Sequence, residues 1–213
     1  MKKLIVIFAA VCLNASVLTV QAGGLESLEA FVKTARTGRA DFTQVVTSPA
    51  KDGQTPRVKT SSGTFEFSRP GQFKFVYKKP FEQSIVADGT TLWLYDVDLN
   101  QVTARQQSQV LNATPAALIA SAPDLRALQR DFLLADEAAK EGLEWVSATP
   151  RTRDSQVQNV RIGFRAGALA ALDILDSFGQ SSRMSFSAFK TNLPLDGATF
   201  DFRPPAGADV VRQ

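Results

Sequence analysis

The residue types that do most protein chemistry are scarce in this chain. It has no histidine and a single cysteine, which leaves nothing to build a Ser–His triad, a histidine metal site or a cysteine-paired site. Cys12 lies in an apolar N-terminal run behind Ala9-Ala10-Val11, not behind the Leu-x-Gly/Ala triplet of a lipid-attachment cysteine. Asp96-x-Asp98-x-Asn100 opens like a calcium loop. Such a loop needs glycine at its sixth position and glutamate at its twelfth, where this chain has Gln101 and Gln107, so a polar hairpin turn is expected instead. Asn112-Ala113-Thr114 has the spacing of a glycosylation acceptor, but Thr114 before Pro115 reads as a helix N-cap. The carboxylate pairs Glu26/Glu29 and Asp136/Glu137 fall on expected helix surfaces or loops. No enzyme, cofactor or metal site is expected.

One charged residue occupies a telling place. Arg69 is in period-two register with Phe65 and Phe67, directly before Pro70-Gly71, and alternation aims it at the aromatic face. A guanidinium there needs acceptors, because burying it unpaired is costly. Backbone carbonyls at a helix end or loop can serve. Fraying of the sheet at the turn would instead leave Arg69 in water, and the residues alone keep both readings open.

The elements that would position Arg69 follow from periodicity. Leu25, Leu28, Phe31, Val32 and Ala35 recur at helical spacing, with Gly38 as the expected stop. From residue 40 the period falls to two, giving expected strands at 40–47, 63–68, 72–77, 83–87, 91–96 and 101–105. Pro70-Gly71 and Asp88-Gly89 make tight turns between them, and residues 48–62 read as one long hairpin loop. A helix capped at Thr114-Pro115 carries Leu118 and Ile119. A second, opened by Pro123, carries Leu125, Leu128 and Phe132 on one face. Strands resume at about 142–148, 157–165, 169–175 and 181–189, with a last segment at 199–202. The expected fold is mainly β with helices (α+β): ten to eleven antiparallel strands in a strongly curved sheet, with helices across its hollow side.

The chain holds 15 phenylalanines against 2 tyrosines and 2 tryptophans. Phe65/Phe67, Phe73/Phe75 and Phe200/Phe202 alternate, so each pair faces one side. A filled barrel core is the simpler reading, and an apolar ligand cavity leaves the same trace.

The N-terminus sets the compartment. Lys2 and Lys3 precede an apolar run ending near Ala15, and Val20-Gln21-Ala22 fits a cleavage site, so residues 1–22 read as a signal peptide. The run is shorter than the ~20 residues of a bilayer span. Residues 23–213 are then one exported domain. Without Lys2 and Lys3, 22 basic residues face 21 acidic ones. No basic stripe with interleaved aromatics is present, so no nucleic-acid partner is expected.

Several stretches together resemble one known family. They are Gly63-Thr-Phe-Glu-Phe-Ser-Arg69-Pro70-Gly-Gln-Phe73-Lys-Phe75 and Ser84-Ile-Val-Ala-Asp88-Gly89-Thr-Thr-Leu-Trp93-Leu-Tyr95, with Phe42-Thr43-Gln44, Gln101-Val102-Thr103, Thr114-Pro115-Ala-Ala-Leu118-Ile119 and Phe200-Asp-Phe-Arg-Pro204-Pro205-Ala-Gly207. In order and spacing the chain is similar to the outer-membrane lipoprotein carrier family (LolA). It departs at Phe75, usually tryptophan, and at Ala116 and Ala117, which can be bulkier.

The resemblance implies an incomplete antiparallel β-barrel with a helical lid over a hydrophobic cavity. It implies that Arg69 latches the lid through backbone contacts, and that Leu28, Val32, Phe67, Phe73, Phe75, Leu94, Leu118 and Ile119 form the acyl-chain and lid surfaces. It further implies a periplasmic, monomeric carrier. Its cargo would be acylated lipoproteins, received from an ATP-driven (ABC-type) inner-membrane release complex and given to an outer-membrane receptor. A lipocalin-like binder of a small apolar ligand is the alternative, though the Gly-x-Trp and C-terminal helix of that group are missing.

Overall fold

Leu28, Phe31 and Val32 are buried on one stripe of helix α1 (Gly24–Thr34). That stripe, rather than capping, fixes the helix, since Gly23 at its N-cap contributes no side chain. The helix ends where the Ala35 N–H donates to the Phe31 carbonyl at 2.9 Å. The computed structural model describes residues 23–50, 54–110, 122–152 and 155–213. The expected signal peptide (1–22), the Asn112–Thr114 acceptor, the Thr114-Pro115 cap and the lid positions Leu118 and Ile119 lie outside the described residues.

Six strands follow in meander: β1 (Thr37–Ser48), β2 (Arg57–Ser68), β3 (Gln72–Lys79), β4 (Gln83–Asp88), β5 (Thr91–Asp96) and β6 (Gln101–Gln106). Two short helices, α2 (Gln107–Val110) and α3 (Leu125–Asp131), come next. Asp124 caps α3 by accepting the Ala127 N–H at 2.8 Å. A second meander comprises β7 (Phe132–Lys140), β8 (Leu143–Pro150), β9 (Val157–Arg165), β10 (Ala168–Asp176) and β11 (Ser181–Thr191), and β12 (Asp209–Arg212) is last. All twelve strands form one open sheet in the order β12-β6-β5-β4-β3-β2-β1-β11-β10-β9-β8-β7. The pairing of β1 with β11 joins the two meanders. The sheet curls strongly, because Phe31 of α1 meets rings from β2, β9 and β11 at 5.9–6.0 Å. It is an unclosed barrel, as the resemblance implies, with β7 and β12 as its two edges.

Several expected boundaries are corrected. Residues 48–62 are not a loop throughout. The β1–β2 ladder runs on to Ser48 opposite Arg57, and alternation is invisible there because the strand ends leave the core and both faces are wet. Phe132, Asp136 and Glu137 are not helical but lie on β7, paired with β8. This edge strand is exposed along most of its length, so no apolar stripe marks it. Residues 199–202 are not a strand either. A 3-10 turn, Gly197–Phe200, starts where Asp196 accepts the Ala198 N–H at 3.0 Å. The true last strand is β12, which pairs parallel to β6, so the sheet is not wholly antiparallel and has twelve strands among the described residues rather than ten or eleven. Gly38 is no helix stop. It sits in β1, where a Cβ would lie 2.3 Å from Cε1 of Phe67; only glycine lets that ring lie against the strand.

The main core fills the inner face beneath α1. On the outer face Trp145 and Leu143 of β8 pack against Ala171 of β10. Further along that face Phe202 of the C-terminal segment lies 5.5 Å from Trp93 of β5, and Phe200 is buried.

Candidate functional site

The site is the inner face of β1–β5, which α1 reaches through Phe31 against Phe67 at 6.0 Å. Register places Phe65 opposite Phe75 and Phe67 opposite Phe73, so four rings of two neighbouring strands share this face. Phe65 and Phe75 stack at 4.5 Å. Phe73 meets Phe75 edge-on at 6.1 Å, and Phe42 of β1 meets Phe75 at 5.7 Å. Such offset and edge contacts suit the ring quadrupoles. Phe67, Phe73, Phe75, Leu28 and Val32 are all at most 2% exposed and belong to one cluster. The expected cavity residues Phe67, Phe73 and Phe75 and the expected lid residues Leu28 and Val32 are thus parts of one filled core. Leu94 lies on the same face, since it pairs with Ile85 and Ile85 with Phe75, but it is only half-buried.

Arg69 stands at the end of this aromatic row and is 9% exposed. Its backbone N–H donates to Arg36 O at 2.8 Å. Its Nε donates to the Ala35 carbonyl at 2.9 Å, and Nη1 donates to the carbonyl of Ala122. The first acceptor ends α1 and the second lies just ahead of α3. Nη2 has no partner among the described residues. The guanidinium also lies over Phe67 at 5.2 Å and Phe31 at 5.4 Å, within cation–π range. Burial, and then the nearby Arg36 charge, push its pKa down to about 10, which still leaves it cationic at neutral pH. Of the two readings open in the sequence, the inward one describes the molecule.

Two neighbouring turns hold Arg69 in place. Gln107, itself buried, donates to Gly71 O at 2.6 Å and accepts the Gly89 N–H at 3.0 Å, tying the Pro70-Gly71 turn to the Asp88-Gly89 turn. Asp88 accepts from the N–H groups of Thr90 and Thr91 at 2.8 Å and from Trp93 Nε1 at 2.9 Å. Burial would raise its pKa, but those hydrogen bonds outweigh it and hold the carboxyl below the usual range.

Beyond Phe42 the inner face opens into a groove of about 450 Å³, lined by Gln44, Tyr77, Phe81 and Leu99 among others. Tyr77 packs edge-on against Phe42 at 5.0 Å and donates to Gln44 Oε1 at 3.1 Å. The groove is therefore continuous with the aromatic row. Asp96 and Asn100 serve the β5–β6 turn beside it. Asp96 Oδ1 accepts the Leu99 N–H at 3.1 Å, and Asn100 Nδ2 donates to Gly207 O at 2.9 Å.

A family model described as outer membrane lipoprotein carrier protein LolA matches residues 33–203. The chain belongs to this family. An outer-membrane lipoprotein carrier protein of Albidiferax ferrireducens is 71% identical over 210 residues, covering 97% of this chain and 99% of that relative. One from Methylibium petroleiphilum is 49% identical over 205 residues, covering 96% of each. A crystal structure of an uncharacterized conserved protein from Thermus thermophilus superposes with a TM-score of 0.50 at 16% identity, over 89% of this chain and 96% of that one. At that identity it bears on the fold alone.

Three contributors to the site escape a reading of the sequence. Phe31 carried a helical signal but no hint that it would meet Arg69. Gln107 lies at the start of a four-residue helix, with no pattern to mark it. The carbonyls of Ala35 and Ala122 belong to the backbone, so residue type says nothing of them.

Proposed function

We propose that this chain is a periplasmic carrier, a binding protein and not an enzyme, that shelters the acyl chains of lipoproteins between two membranes. The single observation that carries the reading is Arg69 bridging the carbonyls of Ala35 and Ala122 above a row of interlocked phenylalanines. A cation held by carbonyl dipoles and aromatic faces rather than by a counter-charge is a clasp that can be undone. Beneath it, the apolar faces of α1 and of the sheet satisfy each other until an acyl chain competes for them.

Magnitudes show why such an escort is needed. At about 0.8 kcal/mol per methylene, a triacyl anchor of ~45 methylenes exposed to water would cost roughly 36 kcal/mol. A carrier that recovered all of it could never let go. Exchanging one apolar contact for another keeps binding modest, because the cluster of Leu28, Val32, Phe67, Phe73 and Phe75 loses its own packing when cargo enters. Leu118 and Ile119 complete the lid surface in this reading, and Leu94 extends the wall toward the groove. The chain has no nucleotide-binding loop, so direction comes from its partners. These are an ATP-driven inner-membrane release complex that loads it and an outer-membrane receptor that binds cargo more tightly. The carrier works as a monomer, freed from residues 1–22. A closed lipocalin-like barrel fits less well, because β7 and β12 leave the sheet unclosed.

The test is co-elution. The chain purified from periplasm, or incubated with lipoprotein-bearing inner-membrane vesicles and their release complex, should elute with intact acylated lipoprotein and pass it to receptor-bearing membranes. Elution with a small lipid alone, or with nothing, would remove the reading.

A further inference from the structure

The groove beyond Phe42 changes character along its length. Its inner end abuts the aromatic row, whereas its walls carry Ser61 of β2, Tyr77 of β3, Gln83 of β4 and, at the β5–β6 turn, Asp96 and Asp98. Phe81 and Leu99 stand on its rim, 60% and 70% exposed. Ser61 and Gln83 form no side-chain hydrogen bond among the described residues, so both have donors to offer. Among the described residues the one cation lining the groove is Lys59, which lies over the Phe81 ring at 5.3 Å. Arg57, Lys78 and Lys79 are exposed at the same end without lining it. A ligand whose tails run along the phenylalanines would have to place its polar linkage here.

We propose that the mouth of this groove is a headgroup filter, one that accepts the neutral ester and amide linkages of an acylated cysteine and turns away the phosphate of a diacyl phospholipid. The inference rests on the carrier reading above and adds a selection to it. Ester and amide groups present carbonyl acceptors, which match the hydroxyl of Ser61 and the amide of Gln83. Burial pushes the Tyr77 phenol up to about 12, so that wall stays uncharged at neutral pH. Among the described lining residues, a phosphate arriving at the same depth would meet two carboxylates against one lysine. Asp96 cannot turn away, because its Oδ1 holds the Leu99 N–H. Phospholipids are the abundant two-tailed molecules of any membrane a carrier visits, and apolar walls alone cannot tell their tails from those of a lipoprotein. Discrimination has to be made at the linkage.

The filter is tested with the full processed chain and three probes of matched acyl length: diacylglycerol, phosphatidylglycerol and a diacylglyceryl-cysteine peptide. Each is titrated against a fluorescent apolar dye already bound to the protein. The wild type should bind diacylglycerol and the lipopeptide more tightly than phosphatidylglycerol. The double variant Asp96→Asn/Asp98→Asn keeps the side-chain oxygen that serves the turn. A unit charge at about 4 Å is worth about fivefold even at water-like screening, so the double variant should narrow the gap between phosphatidylglycerol and diacylglycerol about tenfold or more. Circular dichroism of the variant verifies its fold. Equal binding of phosphatidylglycerol and diacylglycerol by the wild type, or a gap unmoved in the folded variant, would overturn the filter and leave the carrier reading standing. Binding of none of the three probes by the wild type would remove both.

Discussion

Arg69 on the inner face and Arg183 on the outer face both lie over aromatic rings, yet their partners differ in kind. Arg69 has two backbone carbonyls for its guanidinium, and burial depresses its pKa. Arg183 donates to Asp173 at 2.7 and 2.9 Å and to Glu141 at 3.0 Å. The hydrogen bond to Asp173 is the main reason that its pKa rises, with burial opposing. Arg161 completes the outer group. It lies 4.5 Å over the Trp145 ring and pairs with Glu137 at 2.7 Å. On the outer face, charge is matched by charge, between the neighbouring strands β11 and β10 and from β9 across β8 to β7. On the inner face, a charge reaches carbonyls at the end of α1 and ahead of α3 and finds dipoles and aromatic faces, with no carboxylate paired to it among the described residues. The first arrangement ties strands of one sheet together, and the second joins the end of α1 to the segment ahead of α3.

Trp145→Ala is the strongest way to break this contrast. Its ring sits on Gly163, where a Cβ would lie 2.9 Å from the indole, and it is only 1% exposed. Removing a buried aromatic side chain of this size costs about 3–5 kcal/mol, read as a lower urea midpoint. A loss under about 1 kcal/mol would mean that the outer face is not a structural anchor. Arg69→Leu should act on opening rather than on the whole fold. Charge-assisted bonds of its type contribute about 1.5–3 kcal/mol each, so the open population should rise at least about tenfold. Hydrogen exchange should quicken in α1 while β8 and β9 stay protected. The variant should still load lipoprotein but pass it on poorly, since the competing closed state is weaker. Unchanged α1 exchange together with normal hand-over would take Arg69 out of the mechanism. Arg183→Met should do least. Its side chain is 42% exposed, and pairs of this sort contribute about 0–1 kcal/mol. The loss should shrink further in high salt. A salt-independent loss larger than that from Arg69→Leu would invert the comparison.

Much of this was legible beforehand because it is periodic. The alternation of Phe65, Phe67, Phe73 and Phe75 placed four rings on one face, and the stripe of Leu28, Phe31 and Val32 placed α1 above some apolar surface. Asp88-Gly89 and Pro70-Gly71 marked the turns that flank Arg69. What stayed hidden lacked a pattern. β7 has wet residues on both faces, so no alternation marks it as a strand. β12 is a four-residue strand that owes its existence to the exposed edge of β6.

The sequence by itself determined a mainly β chain, the absence of histidine and thiol chemistry in the expected mature domain, and a buried aromatic row with an arginine at its end. These depend on residue types and on spacings of two or of three to four, which local backbone geometry enforces. Only the tertiary structure decided what Arg69 meets. Its acceptors are carbonyls of Ala35 and Ala122, 34 and 53 residues away, and every residue has a carbonyl. Which carbonyls converge is set by how far the sheet curls and where it sets α1 and the entry to α3, quantities that belong to the packed whole.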